Sequence, residues 1–89
     1  MVMTVSYFRE IIDNGPYAWP GGDPLYFITS EGGALSFEAA EQNIENIEFS
    51  IREEVYDEWH IAAVDINWED INLYCDHTGK RIESAYAED

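Results

Sequence analysis

An 89-residue chain that is 46% apolar and 15% aromatic holds enough nonpolar material for one small core and no room for two. Its 19 acidic residues face four basic ones, a formal net charge of −15. That balance argues against direct binding to nucleic acid or an anionic membrane, and favours a basic protein surface or a cation as the complement. A single cysteine, Cys75, excludes an internal disulfide, and no apolar run approaches the ~18 residues of a membrane span.

Met1–Tyr7 has no basic segment followed by an apolar one, so no signal peptide is expected and the chain reads as cytoplasmic. Val5–Asp13 (VSYFREIID) places Val5, Phe8, Ile11 and Ile12 at helical spacing. Thr4 or Ser6 is the candidate cap, and Asn14-Gly15-Pro16 the stop. Tyr17–Pro24 (YAWPGGDP) is rich in Pro and Gly and is expected to be irregular, with Tyr17 and Trp19 folded back as a lid. Leu25–Ser30 and Ala34–Ser36, on either side of Glu31-Gly32-Gly33, predict a β-hairpin.

Ser36 then caps a long helix, with Glu38 in the first turn where the helix dipole favours an acid. Phe37, Ala40, Ile44, Ile47, Ile51 and Val55 form one narrow apolar stripe that must lie on a sheet. Trp59–Trp68 alternates like a strand, with Ala62, Val64, Ile66 and Trp68 on one side and Ala63, Asp65 and Asn67 on the wet side. Ile71–Asp76 is a further strand candidate, His77–Lys80 a turn, Arg81-Ile82 a weak return pairing, and residues 84–89 a loose tail. The expected fold is a single α+β domain over residues 1–89: a small antiparallel β-sheet, one long helix packed across it, and a short N-terminal helix.

The segment FEAAEQNIENIEFSIREE (37–54) contains six glutamates and one base. Glu38, Glu41, Glu45 and Glu48 line one flank of the apolar stripe, with Arg52 placed to pair with Glu48 four residues earlier. A plain solvated face is the ordinary reading of charged helix residues. Such faces mix signs, however, whereas residues 31–76 carry thirteen acids and one base. Helix neighbours three and four apart lie ~5–6 Å from one another, so a carboxylate row can approximate a phosphate track, and arginine forks fit both anions. Phe49 falls on the polar side of the helix, as a candidate anchor.

A second acidic group, Asp65, Glu69, Asp70 and Asp76, occupies DINWEDINLYCD and is expected to bind the partner together with Glu38, Glu41, Glu45, Glu48 and Phe49. It invites a calcium reading with Asp65, Asn67 and Glu69 as the first ligands, but the position that needs glycine holds Asp70. Cys75-Asp76-His77-Thr78-Gly79 resembles one knuckle of a zinc ribbon with Thr78 at the second cysteine position, and no second knuckle exists. His60 and His77 are candidate bases, yet no nucleophile motif or phosphate loop accompanies them. No catalytic residue, metal or cofactor is expected, and the chain is not expected to be an enzyme.

The segments YAWPGG (17–22), PLYFITSEGGALSF (24–37), VDINWED (64–70) and DHTGKRIESAYAED (76–89) look similar to small proteins of phages and mobile elements, and cover about half of the chain. Together they resemble a small type I anti-CRISPR protein, of the type I-C group by preference. Such a resemblance implies an inhibitor of host defence that acts as a DNA mimic and occupies the DNA-binding groove of the Cascade surveillance complex. No motif is shared by all such proteins, so no residue role follows by position. The alternatives are an antitoxin, a mimic aimed at another host DNA-binding protein, or a metal-binding regulatory protein.

Overall fold

A computed structural model of the chain describes residues 3–18 and 21–86. The expectations for Trp19 and for residues 87–89 lie outside them. Over these residues the architecture is α+β: three helices and a four-stranded antiparallel sheet whose other strands all pair with the one at Asp23–Thr29.

Helix α1 (Val5–Asn14) begins where Thr4 Oγ1 accepts the Tyr7 N–H at 3.0 Å, and buries Phe8 and Ile11. It ends at Gly15, whose φ of 94° disfavours any side chain. The Pro/Gly segment is less irregular than expected. Strand β1 (Tyr17–Ala18) pairs with the start of β2 (Asp23–Thr29), because Gly22 N–H donates to Ala18 O at 2.6 Å and Leu25 N–H to Pro16 O at 3.0 Å. Tyr17 is no lid; it is about half exposed, and its hydroxyl donates to Glu83 at 3.1 Å.

The predicted hairpin is present. Strand β3 (Ala34–Ser36) returns along β2 after a turn closed by Thr29 N–H on Gly33 O at 2.9 Å, with Gly32 at φ 86°. Ser36 Oγ accepts the Ala39 N–H at 3.1 Å and starts a helix as expected.

That helix does not run through. It divides into α2 (Phe37–Gln42) and α3 (Ile44–Arg52) at Asn43. In a continuous helix the Asn43 N–H would bond the Ala39 carbonyl. Here the Asn43 side chain takes that acceptor at 2.8 Å, and the Asn43 N–H moves to Ala40 O. The chain leaves α3 at Glu54, in the left-handed region at φ 55°. Val55 therefore drops out of the apolar stripe and is exposed, whereas Phe37, Ala40, Ile47 and Ile51 are buried and Ile44 is partly so.

Strand β4 (Ile61–Ile66) pairs antiparallel with β2. Register puts Phe27, Leu35, Val64 and Ile66 on one face and Tyr26, Ile28, Ala63 and Asp65 on the other. A bulge opposite Ile28/Thr29 brings Ile61 opposite Thr29, so Ile61 is buried and Ala62, expected inside, is exposed. The alternation also fails at its end: Asn67 is buried and Trp68 is exposed.

The helices cover the Phe27 face. The Phe27 ring lies 5.6 Å from Phe8 of α1 and 5.8 Å from Phe37 of α2. Burying such a ring is worth ~2–3 kcal/mol. Residues 71–76 form no strand; Tyr74 and Arg81 make one antiparallel bridge, with Gly79 at φ 75° in the turn between them. Cys75 and Ile82 from this loop complete the core. Nor is the start of the C-terminal segment loose. Ser84 is buried, and Ala85 and Tyr86 donate their N–H groups to Asn67 O and Trp68 O at 2.8 and 2.7 Å.

Candidate partner-binding surface

Of the predicted helix row, Glu38 lies on α2 3.7 Å from Lys80 Nζ. Glu48 lies on α3 and is held by Arg9 of α1, whose Nε bonds one carboxylate oxygen and whose Nη2 donates to the other at 3.2 Å. That hydrogen bond, and then the carboxylate charge, raise the Arg9 pKa above its ordinary value. The expected Glu48–Arg52 pair does not form. Arg52 turns to Glu53 at 3.5 Å and lies 6.0 Å from the Phe49 ring centroid, which leaves Phe49 about half exposed beneath a cation.

Glu41 and Glu45 differ from their neighbours. Both are exposed, and no ion pair reaches either among the described residues. They flank the helix break, with Gln42, Asn43, Ile44 and Asn46 between and beside them. The regular carboxylate ladder holds within α2 and within α3 but is interrupted at Asn43.

The second acidic group is built differently. Asp65 is exposed on the sheet face opposite the helices, and its Oδ1 accepts the Ile66 N–H at 2.7 Å. Asp70 caps the next turn by accepting the Asn72 N–H at 2.9 Å. Burial, and then the charges of Asp65 and Asp70, raise the pKa of Tyr26. Glu69 is exposed in the same turn. Asn67 points inward, donating to Asp70 O, Ile82 O and Glu83 O at 3.0–3.3 Å and accepting the Asp70 N–H. With its side chain buried and Oδ1 accepting the Asp70 N–H, Asn67 is not presented to a calcium ion in the turn, which removes the third loop position of that reading. Trp68 stacks on Tyr86 at 5.7 Å beside it.

Asp76 belongs to neither group. It sits at the β2–β3 turn, where its N–H donates to Ala34 O at 2.9 Å and a Cβ on Gly33 would collide with its carboxylate. The nine predicted residues thus do not make one surface. Glu38, Glu41, Glu45, Glu48 and Phe49 share the helix layer, Asp65 lies across the sheet, Glu69 and Asp70 follow it in the next turn, and Asp76 closes the hairpin end.

Cys75 is buried, with its sulfur accepting the Ser36 N–H at 3.3 Å. Burial pushes its thiol up, but donors from Ser36 and Thr78 outweigh this and bring it down to about 7. It serves the core and the β3 edge. Among the described residues no group of three or more His, Cys, Asp or Glu is placed to hold a metal ion.

A Ser, an Asp and a His also converge, unnoticed in the sequence because they lie across a turn. Ser50 Oγ is 2.7 Å from Asp57 Oδ1, while His60 Nδ1 faces the Ser50 and Val55 carbonyls at 3.1 and 3.0 Å. The order is wrong for nucleophile activation, since the serine's single proton is shared between the carboxylate and Val55 O, and His60 Nδ1 faces backbone carbonyls instead of the hydroxyl. Burial raises the Asp57 carboxyl, but bonds from Ser50 and the Trp59 N–H outweigh it and hold the pKa below its usual value. The trio closes the C-terminus of α3.

No protein-family model matches the chain, and no curated protein or solved structure does. Among the described residues, no helix is long and apolar enough to cross a membrane.

Proposed function

We propose that this chain is a binding inhibitor, not an enzyme, that sets carboxylates against a basic nucleic-acid-binding protein and so keeps nucleic acid out. The observation that carries this reading is the surplus of charge after pairing. Arg9, Arg52 and Lys80 are each spent on an acid, while among the described residues no cation pairs with the exposed Glu41 and Glu45. A net charge of −15 on 89 residues opposes folding by self-repulsion, and a partner rich in Lys and Arg relieves that repulsion on binding.

The mechanism is steric and electrostatic. Arginines arranged for phosphate accept carboxylate forks equally, and charge steers the encounter. The resemblance of four segments to type I anti-CRISPR proteins supplies the target: a DNA-binding subunit of Cascade. The break at Asn43 divides the helix layer into two short charged segments, so the mimicry is of charge density more than of strict phosphate spacing.

The test is capture of purified Cascade by the protein, with and without competing target DNA. Binding that DNA abolishes, together with loss of DNA binding by Cascade, is the expected outcome. Capture that DNA leaves untouched contradicts mimicry. Failure with Cascade, but DNA-sensitive capture of a different host DNA-binding protein, moves the target and keeps the mechanism.

A further inference from the structure

A small cleft lies where the hairpin turn, the start of β4 and the loop after Cys75 meet. It is lined by Thr29, Glu31, Ala34, Leu35, Glu58, Trp59, Asp76 and His77. Its floor is apolar, from Ala34 and Leu35. Trp59 is half-buried, and His77 meets it edge to face with ring centroids 4.9 Å apart. Three carboxylates, from Glu31, Glu58 and Asp76, come from three separate segments and stand at the rim. The free volume is about 40 Å³, room for about three or four water-sized groups, which is the heavy-atom count of a guanidinium.

Apolar floor, aromatic wall and anionic rim together select a ligand class. A carboxylate-bearing ligand is repelled, and a neutral apolar group leaves the rim uncompensated. An ammonium satisfies the charge but is strongly hydrated and has no flat face for the indole. A guanidinium is planar, weakly hydrated, stacks on tryptophan and forks to carboxylates. We infer that this cleft receives an arginine side chain of the protein partner, fixing the register of a contact that the broader acidic surface only attracts. The inference rests on the proposed binding function for the identity of the partner, and on the cleft alone for the chemistry.

A small-molecule titration tests the chemistry apart from the partner. N-acetyl-arginine methylamide is added at constant ionic strength while the indole N–H of Trp59 is followed by NMR, assigned with Trp59→Phe. A saturable shift at Trp59 is expected, with an affinity about tenfold above that for the lysine analogue. The isosteric, uncharged N-acetyl-citrulline methylamide is expected to give none. Glu58→Gln/Asp76→Asn, which changes exposed side chains and leaves Trp59 in place, is expected to weaken the arginine response by about tenfold as well. Equal shifts with citrulline, or an arginine response spread evenly over the acidic surface and unchanged in the double variant, overturn the inference. Because no partner is present, failure here leaves DNA-sensitive capture of Cascade standing, and failure of capture leaves a positive titration standing.

Discussion

The helix layer and the turn after β4 are equally acidic in sequence and use their acids in opposite ways. Asp65 near the end of β4 and Asp70 in the turn accept hydrogen bonds from backbone N–H groups, and Asn67 ties the turn to the C-terminal segment. Their charge accompanies a structural task. In the helix layer, cations from distant elements pair with the outer glutamates, Glu38 with Lys80 and Glu48 with Arg9, and no cation among the described residues reaches the two glutamates between them. Composition alone does not separate acids that build from acids that are spare; hydrogen bonding does.

The sharpest way to break this comparison is charge reversal in each region. Glu41→Lys/Glu45→Lys is expected to lower partner affinity by about 100-fold or more, through lost attraction and new repulsion, with an unchanged fold by circular dichroism. Glu48 is left alone because its removal strands Arg9. Affinity measured by calorimetry within threefold of the parent, taken as about 0.7 kcal/mol, excludes this face as the contact. In the turn, the large effect is on stability instead. Asn67→Ala leaves the buried carbonyl of Ile82 and the partly buried carbonyl of Glu83 short of a donor and should cost about 2–3 kcal/mol in urea unfolding. A change under about 0.5 kcal/mol assigns the turn no such role.

Smaller effects sharpen the frame around both regions. Ser36→Ala removes the cap of α2 and should cost about 1 kcal/mol. The Cys75 thiol provides a pH test. Its folded pKa of about 7 lies below the reference value of 9.0. Between those values the unfolded chain binds more protons, so this group adds stability as pH rises from 7 to 9 and withdraws it as pH falls through 7. Wild type should therefore gain stability over Cys75→Ser across that window, and a constant difference refutes it.

The fold class was legible because its signals are local. Thr4 and Ser36 cap helices, Gly32-Gly33 turns a hairpin, and the apolar spacing from Phe37 to Ile51 faces the core. What stayed hidden is competition at single residues. Asn43 sits within a good helical pattern, yet its side chain outcompetes its own N–H for Ala39 O. The bulge opposite Ile28/Thr29 changes which residue of the Ile61-Ala62 pair faces inward, and no pattern of alternation foretells it. At the candidate site, exposure of Glu41 and Glu45 was readable from the wheel, but the clamps on Glu38 and Glu48 come from residues 42 and 39 positions away. The cleft around Trp59 joins residues 31, 58 and 76, which share no sequence pattern.

The most direct test of the central claim is the salt dependence of partner binding, compared between the parent chain and Glu41→Lys/Glu45→Lys. The account predicts that log K for the parent falls linearly and steeply as log salt rises, and that the double reversal flattens the slope, as when ion pairs are removed from a protein–phosphate contact. Parent binding that is indifferent to salt, or a slope that the reversal leaves unchanged, contradicts it.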